Sequence, residues 1–418
     1  MSKLLFNFAI SIAACVCFYM LKDKKFNIKN IFWVVYLLIL SVTSYLFFSK
    51  LIGSITNPAV WDFPAFYLYG KVAASGYNFY IPENFHQVYN SLHFPASYYN
   101  ELANEVLDVG FPYPPPTILY FAPLGFLSYD TALVCWTLFN LFFVVGCIYL
   151  IYDQFLRTEK LNGILLIVAL FFLFSPVRTT IMFNQTNFIL LFYLLLIKKY
   201  SDKKISGIFL ALAIFTKPYM IIIGLFFLLK RNWGAIVYSI LSAAAICGLA
   251  LLFFGKSPFL SYIYSSPAHR IPKWVFLEKI NQSLHAVLLR AQLITHDNPA
   301  VYLSIAIGIL LVAGVYLMML MKRRLYDYIL PILLLVGLLL YPGTLSYYAV
   351  LLLFILFQFF NPKSQLGFNS YWHILIIGVI YALSIFHVFW CICILLIVLV
   401  LKSLNQTHIA TPVKAEPV

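Results

Sequence analysis

Trp61-Asp62-Phe63-Pro64-Ala65-Phe66-Tyr67 stands just past a hydrophobic run that ends near Phe48 and opens a polar, aromatic stretch of about 65 residues. The stretch continues through Gly70-Lys71 to Gly76-Tyr77-Asn78-Phe79-Tyr80. Around it, nearly everything is compatible with lipid: 63% of the 418 residues are hydrophobic, 10% are charged, and mean hydropathy is +0.92. A soluble domain of this length could not carry that composition on its surface. Apolar runs near 20 residues recur along the chain, the length a helix needs to cross about 30 Å of hydrocarbon. The chain therefore reads as an all-α polytopic membrane protein. A carboxylate at the mouth of its first long polar loop then requires an explanation.

Apolar spans are expected at Leu4–Leu21, Ile31–Ile52, Thr117–Ile151, Gly163–Thr180, Asn187–Ile197, Ile205–Leu229, Trp233–Phe254, Val301–Met321, Tyr328–Leu340, Ser346–Phe360 and Tyr371–Leu401. Three are longer than one crossing requires. Pro123-Leu124-Gly125 breaks the third into a short or re-entrant helix followed by a full span, and Lys217-Pro218 splits the sixth. The last is long enough for a hairpin of short helices. The expected total is about 11–14 crossings in a single integral-membrane domain covering residues 1–418.

Charge sets the orientation. Lys22, Lys24, Lys25 and Lys29 share one connector, Arg157 and Lys160 a second, and Lys198, Lys199, Lys203 and Lys204 a third. Lys230-Arg231 and Lys322-Arg323-Arg324 mark two more on the same side. Basic residues mark the cytoplasmic face, so the overall charge of +14 is a topology signal and not a nucleic-acid footprint. Residues 52–116 and 255–300 then form exterior loops at a cell or inner membrane, and 403–418 form a polar tail. Leu4–Leu21 lacks a small-residue cleavage site and its lysines follow it, so it reads as an anchor and not a secretory signal. All seven cysteines fall inside the expected spans, with neither a disulfide framework nor metal-ligand spacing.

No Asp or Glu falls in the interior of an expected span, Asp130 standing close after the Pro123-Leu124-Gly125 break, which argues against a proton- or sodium-coupled transporter, where such groups sit near the bilayer midplane. Polar groups gather instead toward the outer rim: Asp62, Lys71, Tyr113, Arg178, Asn184-Gln185-Thr186-Asn187, Lys217, His269-Arg270, Asn281-Gln282-Ser283, His285 and Arg290. Aromatic rings offer flat faces to sugars, while Arg and Lys neutralise phosphate at headgroup level. Each residue also has a plainer reading. Asp is a favoured N-cap, Lys217 could snorkel from a hairpin tip, the amides could cap helix ends, and Tyr113-Pro114-Pro115-Pro116 could be a rigid lead into the next helix.

These pieces, in order, resemble the integral-membrane GT-C glycosyltransferases, most closely glycosyltransferase family 87, the polyprenyl-phosphate-mannose-dependent α-mannosyltransferase type. The resemblance rests on Asp62-Phe63 with Tyr67; Tyr113-Pro114-Pro115 leading to Ala122-Pro123-Leu124; Trp136 with Asn140; Asn184-Gln185-Thr186-Asn187; Leu210-Ala211-Leu212 with Lys217-Pro218; Arg231-Asn232-Trp233; and Asn281-Gln282-Ser283. It covers about residues 60–290. Two departures stand out: an extra first helix, and tyrosines in Tyr341–Tyr348 where relatives often carry a histidine.

The resemblance implies an inverting transfer of one sugar from a polyprenyl-phosphate donor to a glycolipid or glycan acceptor on the exterior face. It implies Asp62 as general base, with Lys217, Arg178, Arg270 and Arg290 as candidates for the donor phosphate. Tyr67, Asn184, Gln185, Asn187, Asn281 and His285 are candidates for sugar or acceptor. The partners are membrane lipids, the lipid-linked donor as co-substrate and the acceptor; no separate cofactor, metal or nucleic acid is called for. A lipid-linked oligosaccharide polymerase or ligase, and a non-enzymatic transporter, are the rival classes.

Overall fold

The computed structural model describes residues 2–22, 29–58, 62–92, 94, 96–265, 273–295, 299–322, 325–361, 363–368 and 371–409. Its principal helices are α1 (Ser2–Lys22), α2 (Lys29–Thr56), α3 (Phe63–Ala74), α4 (Tyr129–Ile151), α5 (Lys160–Leu173), α6 (Ser175–Met182), α7 (Asn187–Lys199), α8 (Ser206–Thr216), α9 (Trp233–Phe254), α10 (Pro299–Lys322), α11 (Ile329–Leu340), α12 (Trp372–Leu383) and α13 (Val388–Ile409). The protein is an all-α polytopic membrane protein. Among the described residues, six helical stretches are long and apolar enough to cross a bilayer unaided: Ser2–Lys22, Lys29–Thr56, Tyr129–Leu173, Trp233–Phe254, Val301–Lys322 and Val388–Asn405.

Length and burial divide the helices into two kinds. The apolar windows of α9 and α10 are only 11% and 17% buried, so these helices give most of their surface to lipid. The short apolar pieces lie inside. Every residue of α11 except Leu340 is buried, and so is the run from Tyr347 to Phe360. Hydrophobicity alone does not separate the two kinds, because lipid and protein interior are equally apolar.

The sequence breaks fall where expected. Pro115–Tyr120 and Ala122–Phe126 are short 3₁₀ turns preceding α4, and Pro218 begins a new helical piece after α8. The final run divides into α12 and α13, with α13 continuing to Ile409, well past Leu401. Helix α1 is built into the bundle. Its Tyr19 hydroxyl lies 2.7 Å from His373 Nε2 on α12, and the absence of a side chain at Gly378 lets Ile12 approach closely.

Ion pairs tie the basic connectors together at one end of the bundle. They are Lys22–Glu159 at 2.7 Å, Lys198–Asp327 at 2.6 Å, Lys199–Asp153 at 2.9 Å and Lys230–Asp202 at 2.6 Å. Asp62 and its surroundings occupy the opposite end. Asn281-Gln282-Ser283 docks there on the loop after α11: Gln282 N–H donates to the Thr344 carbonyl at 2.7 Å, and Ser346 N–H to Ile280 at 2.8 Å.

Candidate active site

Asp62 occupies the N-cap position of α3, and its carbonyl accepts the Phe66 N–H at 2.9 Å. Its side chain does not cap the helix. An N-cap carboxylate normally accepts from the second or third helical residue, and here the second is Pro64, which has no N–H. The carboxylate instead accepts hydrogen bonds from Gln185 and Tyr347. The backbone is held at φ 54° and ψ −71°, a region a non-glycine residue occupies only when its surroundings impose it, at a cost of about 1–3 kcal/mol.

Packing on α3 provides that restraint. A Cβ on Gly70 would lie 2.0 Å from the Phe121 carbonyl oxygen, so only glycine lets helix and turn meet. Phe66 stacks on Phe121 at 4.5 Å. Lys71 Nζ donates to the Gly125 carbonyl at 3.0 Å, and the Tyr67 hydroxyl to Leu127 at 3.0 Å. Tyr67 is thus a strut between α3 and the turn before α4.

Gln185 reaches Asp62 because the chain reverses after α6. Asn184 takes φ 52°, which asparagine tolerates better than most residues. The Trp136 indole N–H donates to the Asn184 carbonyl at 2.6 Å, and Thr137 Oγ1 donates to its side-chain oxygen at 3.2 Å. Gln185, 2% exposed, directs its amide nitrogen at the Tyr347 hydroxyl, 3.4 Å away. The Asn187 amide bonds Thr180 Oγ1 and the Tyr347 carbonyl, each at 3.4 Å.

Lys217 sits where Pro218 interrupts the helical run, and it is 1% exposed. Its Nζ donates to the Tyr348 hydroxyl at 2.7 Å and to the Tyr113 hydroxyl at 3.4 Å. It also stands 4.7 Å and 5.0 Å from the centres of those two rings. An ammonium has three donors, so two phenols leave one for a further acceptor. Burial drives the Asp62 carboxyl well above the ordinary carboxylate range; the positive charge of Lys217 and the hydrogen bonds from Gln185 and Tyr347 pull it part of the way back. A partly buried carboxylate, a buried ammonium, three phenols and an amide thus converge at one end of the bundle.

A family model of glycosyltransferase family 87 matches residues 111–347. The chain belongs to glycosyltransferase family 87. No curated protein and no solved structure matches it. The family 87 match contains Tyr113, Gln185, Lys217 and Tyr347, while Asp62 precedes it. Geometry, not the family match, joins Asp62 to those residues.

The other expected residues of this glycosyltransferase lie elsewhere. Arg178 lines a separate cavity with Lys3 and Lys50. Arg290 donates to the carbonyls of Glu278 at 2.9 Å and Phe276 at 3.4 Å. His285 packs between Phe276 and Tyr302, with ring centres at 4.7 and 4.4 Å. Asn281 donates to the Pro342 carbonyl at 2.8 Å, fastening the loop that carries Tyr347 and Tyr348. Arg270 lies outside the described residues. Tyr347 and Tyr348 were visible in the sequence only as a departure from the family pattern, and Tyr113 only as part of a rigid proline run. All three supply hydroxyls to the cluster.

Proposed function

We propose that this glycosyltransferase transfers a single sugar, mannose on the resemblance, from a polyprenyl-phosphate donor to a glycolipid or glycan hydroxyl at the exterior face of a cell membrane. The observation that carries this reading is the Asp62 carboxylate, turned away from its helix cap toward Gln185 and Tyr347 and acting electrostatically on the buried Lys217.

The acceptor oxygen attacks the anomeric carbon from the face opposite the phosphate. The bond from that carbon to the phosphate oxygen breaks, its electron pair stays on the oxygen, and polyprenyl phosphate leaves. Asp62 takes the hydroxyl proton, a contribution of about 10²–10⁴-fold for a positioned general base. Lys217 meets the developing charge on the phosphate with its remaining donor, oriented by Tyr348 and Tyr113. The leaving phosphate needs no proton, so one carboxylate suffices. Arg178, Arg270 and Arg290 are further candidates for phosphate contact, and Asn187, Asn281 and His285 for sugar or acceptor.

Membranes containing the protein, incubated with a panel of radiolabelled polyprenyl-phosphate sugars, test the reading. Transfer from a monophosphate-linked single sugar, with inversion at the anomeric carbon, is the expected result. Dependence on a diphosphate-linked oligosaccharide would replace it with a polymerase or ligase.

A further inference from the structure

A second cluster of cations stands apart from the Asp62 site. Lys3 of α1, Lys50 of α2 and Arg178 of α6 line a cavity of about 800 Å³ whose walls include Asn7, Phe6 and Phe386. None of its lining residues is acidic. Lys3 and Lys50 are exposed at the rim, and Arg178 is partly buried deeper in. Among the described residues, none of the three side chains has a hydrogen-bond or ion-pair partner. A guanidinium partly withdrawn from water with no acceptor is costly to maintain, and its fork geometry matches phosphate.

The surroundings supply both halves of an amphipathic ligand site. Leu5, Phe6 and Phe48 are exposed apolar side chains on α1 and α2, beside the cations. The cavity also adjoins the reaction site through a single short helix. Arg178, Thr179 and Met182 of α6 line the cavity, while Thr180 donates to the Tyr347 carbonyl at 3.3 Å.

We propose that this cavity binds the phosphate of a single-chain lipid phosphate monoester. Charge selects this class. A phosphate monoester carries about −1.5 to −2 at pH 7, whereas a diester such as an ordinary phospholipid or the intact sugar donor carries one negative charge. Three unpaired cations favour the former. Polyprenyl phosphate released by transfer has this chemistry, so the cavity would hold the product lipid beside the site that generates it. The product assignment rests on the transfer reaction proposed above; the binding itself does not.

Binding measured without transfer keeps the two apart. The full-length protein in phosphatidylcholine nanodiscs is titrated with a polyprenyl monophosphate, with phosphatidylglycerol and with inorganic phosphate. The monophosphate lipid is expected to bind at least tenfold more tightly than either of the others. R178Q should weaken it at least tenfold, with R178K restoring part of the loss, and K3Q/K50Q, at exposed positions that leave folding intact, should weaken it severalfold. K217Q, which removes a phosphate partner at the reaction site, should leave the R178Q-sensitive binding in place. Wild-type affinity in both R178Q and K3Q/K50Q overturns the proposal, as does equal binding of phosphatidylglycerol. Loss of the R178Q-sensitive binding in K217Q also overturns it, by placing the phosphate at the reaction site, and leaves the transfer mechanism standing.

Discussion

Lys217 Nζ lies 2.7 Å from the Tyr348 hydroxyl and 4.7 Å from the centre of the same ring, although 131 residues separate the two in sequence. The contact joins the break after α8 to the buried run that follows α11, and it fixes the ammonium near the Asp62 carboxylate. In the mechanism proposed here, this lysine serves the lipid phosphate and not the acceptor.

Lys217→Gln should therefore raise the KM for the sugar donor by roughly tenfold or more, the scale of one charge-assisted hydrogen bond. The acceptor KM should change little. Initial rates with each substrate varied in turn make the comparison. A rise confined to the acceptor would place the donor phosphate elsewhere.

The pH profile follows from burial of Asp62, which raises its carboxyl to about 7. A base must be ionised to accept a proton, so kcat/KM should be low at acid pH and rise as pH passes through that region. Gln185 and Tyr347 donate hydrogen bonds that favour the charged form. Tyr347→Phe removes one of them, so less of the carboxylate is ionised at a given pH, and the acid limb should move to higher pH. A limb that stays in place or moves lower contradicts the assignment of that limb to Asp62.

The architecture was legible where the signal was local. Pro123 and the Lys217-Pro218 pair announced breaks because a missing N–H ends a helical ladder wherever it occurs. Basic connectors announced one end of the bundle, and the ion pairs now join them there. Asp62 stood out because a carboxylate beside a long apolar run is rare. Its release from capping was also readable in principle, since Pro64 removes one of the donors a cap uses. Tyr347, Tyr348 and Tyr113 were not legible as site residues. Their hydroxyls matter only through contacts with residues far away in sequence, and no local pattern encodes such pairing. Arg178 and Lys217 looked equivalent as rim cations, yet folding sends one to the α1–α2 cavity and the other to the phenol cluster.

Close packing of α3 carries its own prediction. Gly70→Ala would place a methyl 2.0 Å from the Phe121 carbonyl oxygen, a backbone atom that cannot swing aside. The variant should unfold at a clearly lower temperature in detergent, with a penalty of about 1–3 kcal/mol or more for overpacking. Gly314→Ala on α10, where nothing lies within 4 Å, should unfold like the parent. Equal melting of the two variants would show that α3 does not meet the turn at this distance.

The most direct measurement compares transfer by Asp62→Asn with transfer by the parent, in protein shown to be folded, inserted and able to bind donor. Asparagine caps helices about as well as aspartate but cannot act as a base at this pH, so the two roles give opposite outcomes. Amide variants of the exposed loop acids Glu83 and Asp108 serve as controls and should keep their activity. The account predicts a fall of roughly 10²-fold or more in kcat for Asp62→Asn with donor affinity retained. Near-normal turnover in that variant would contradict Asp62 as the base.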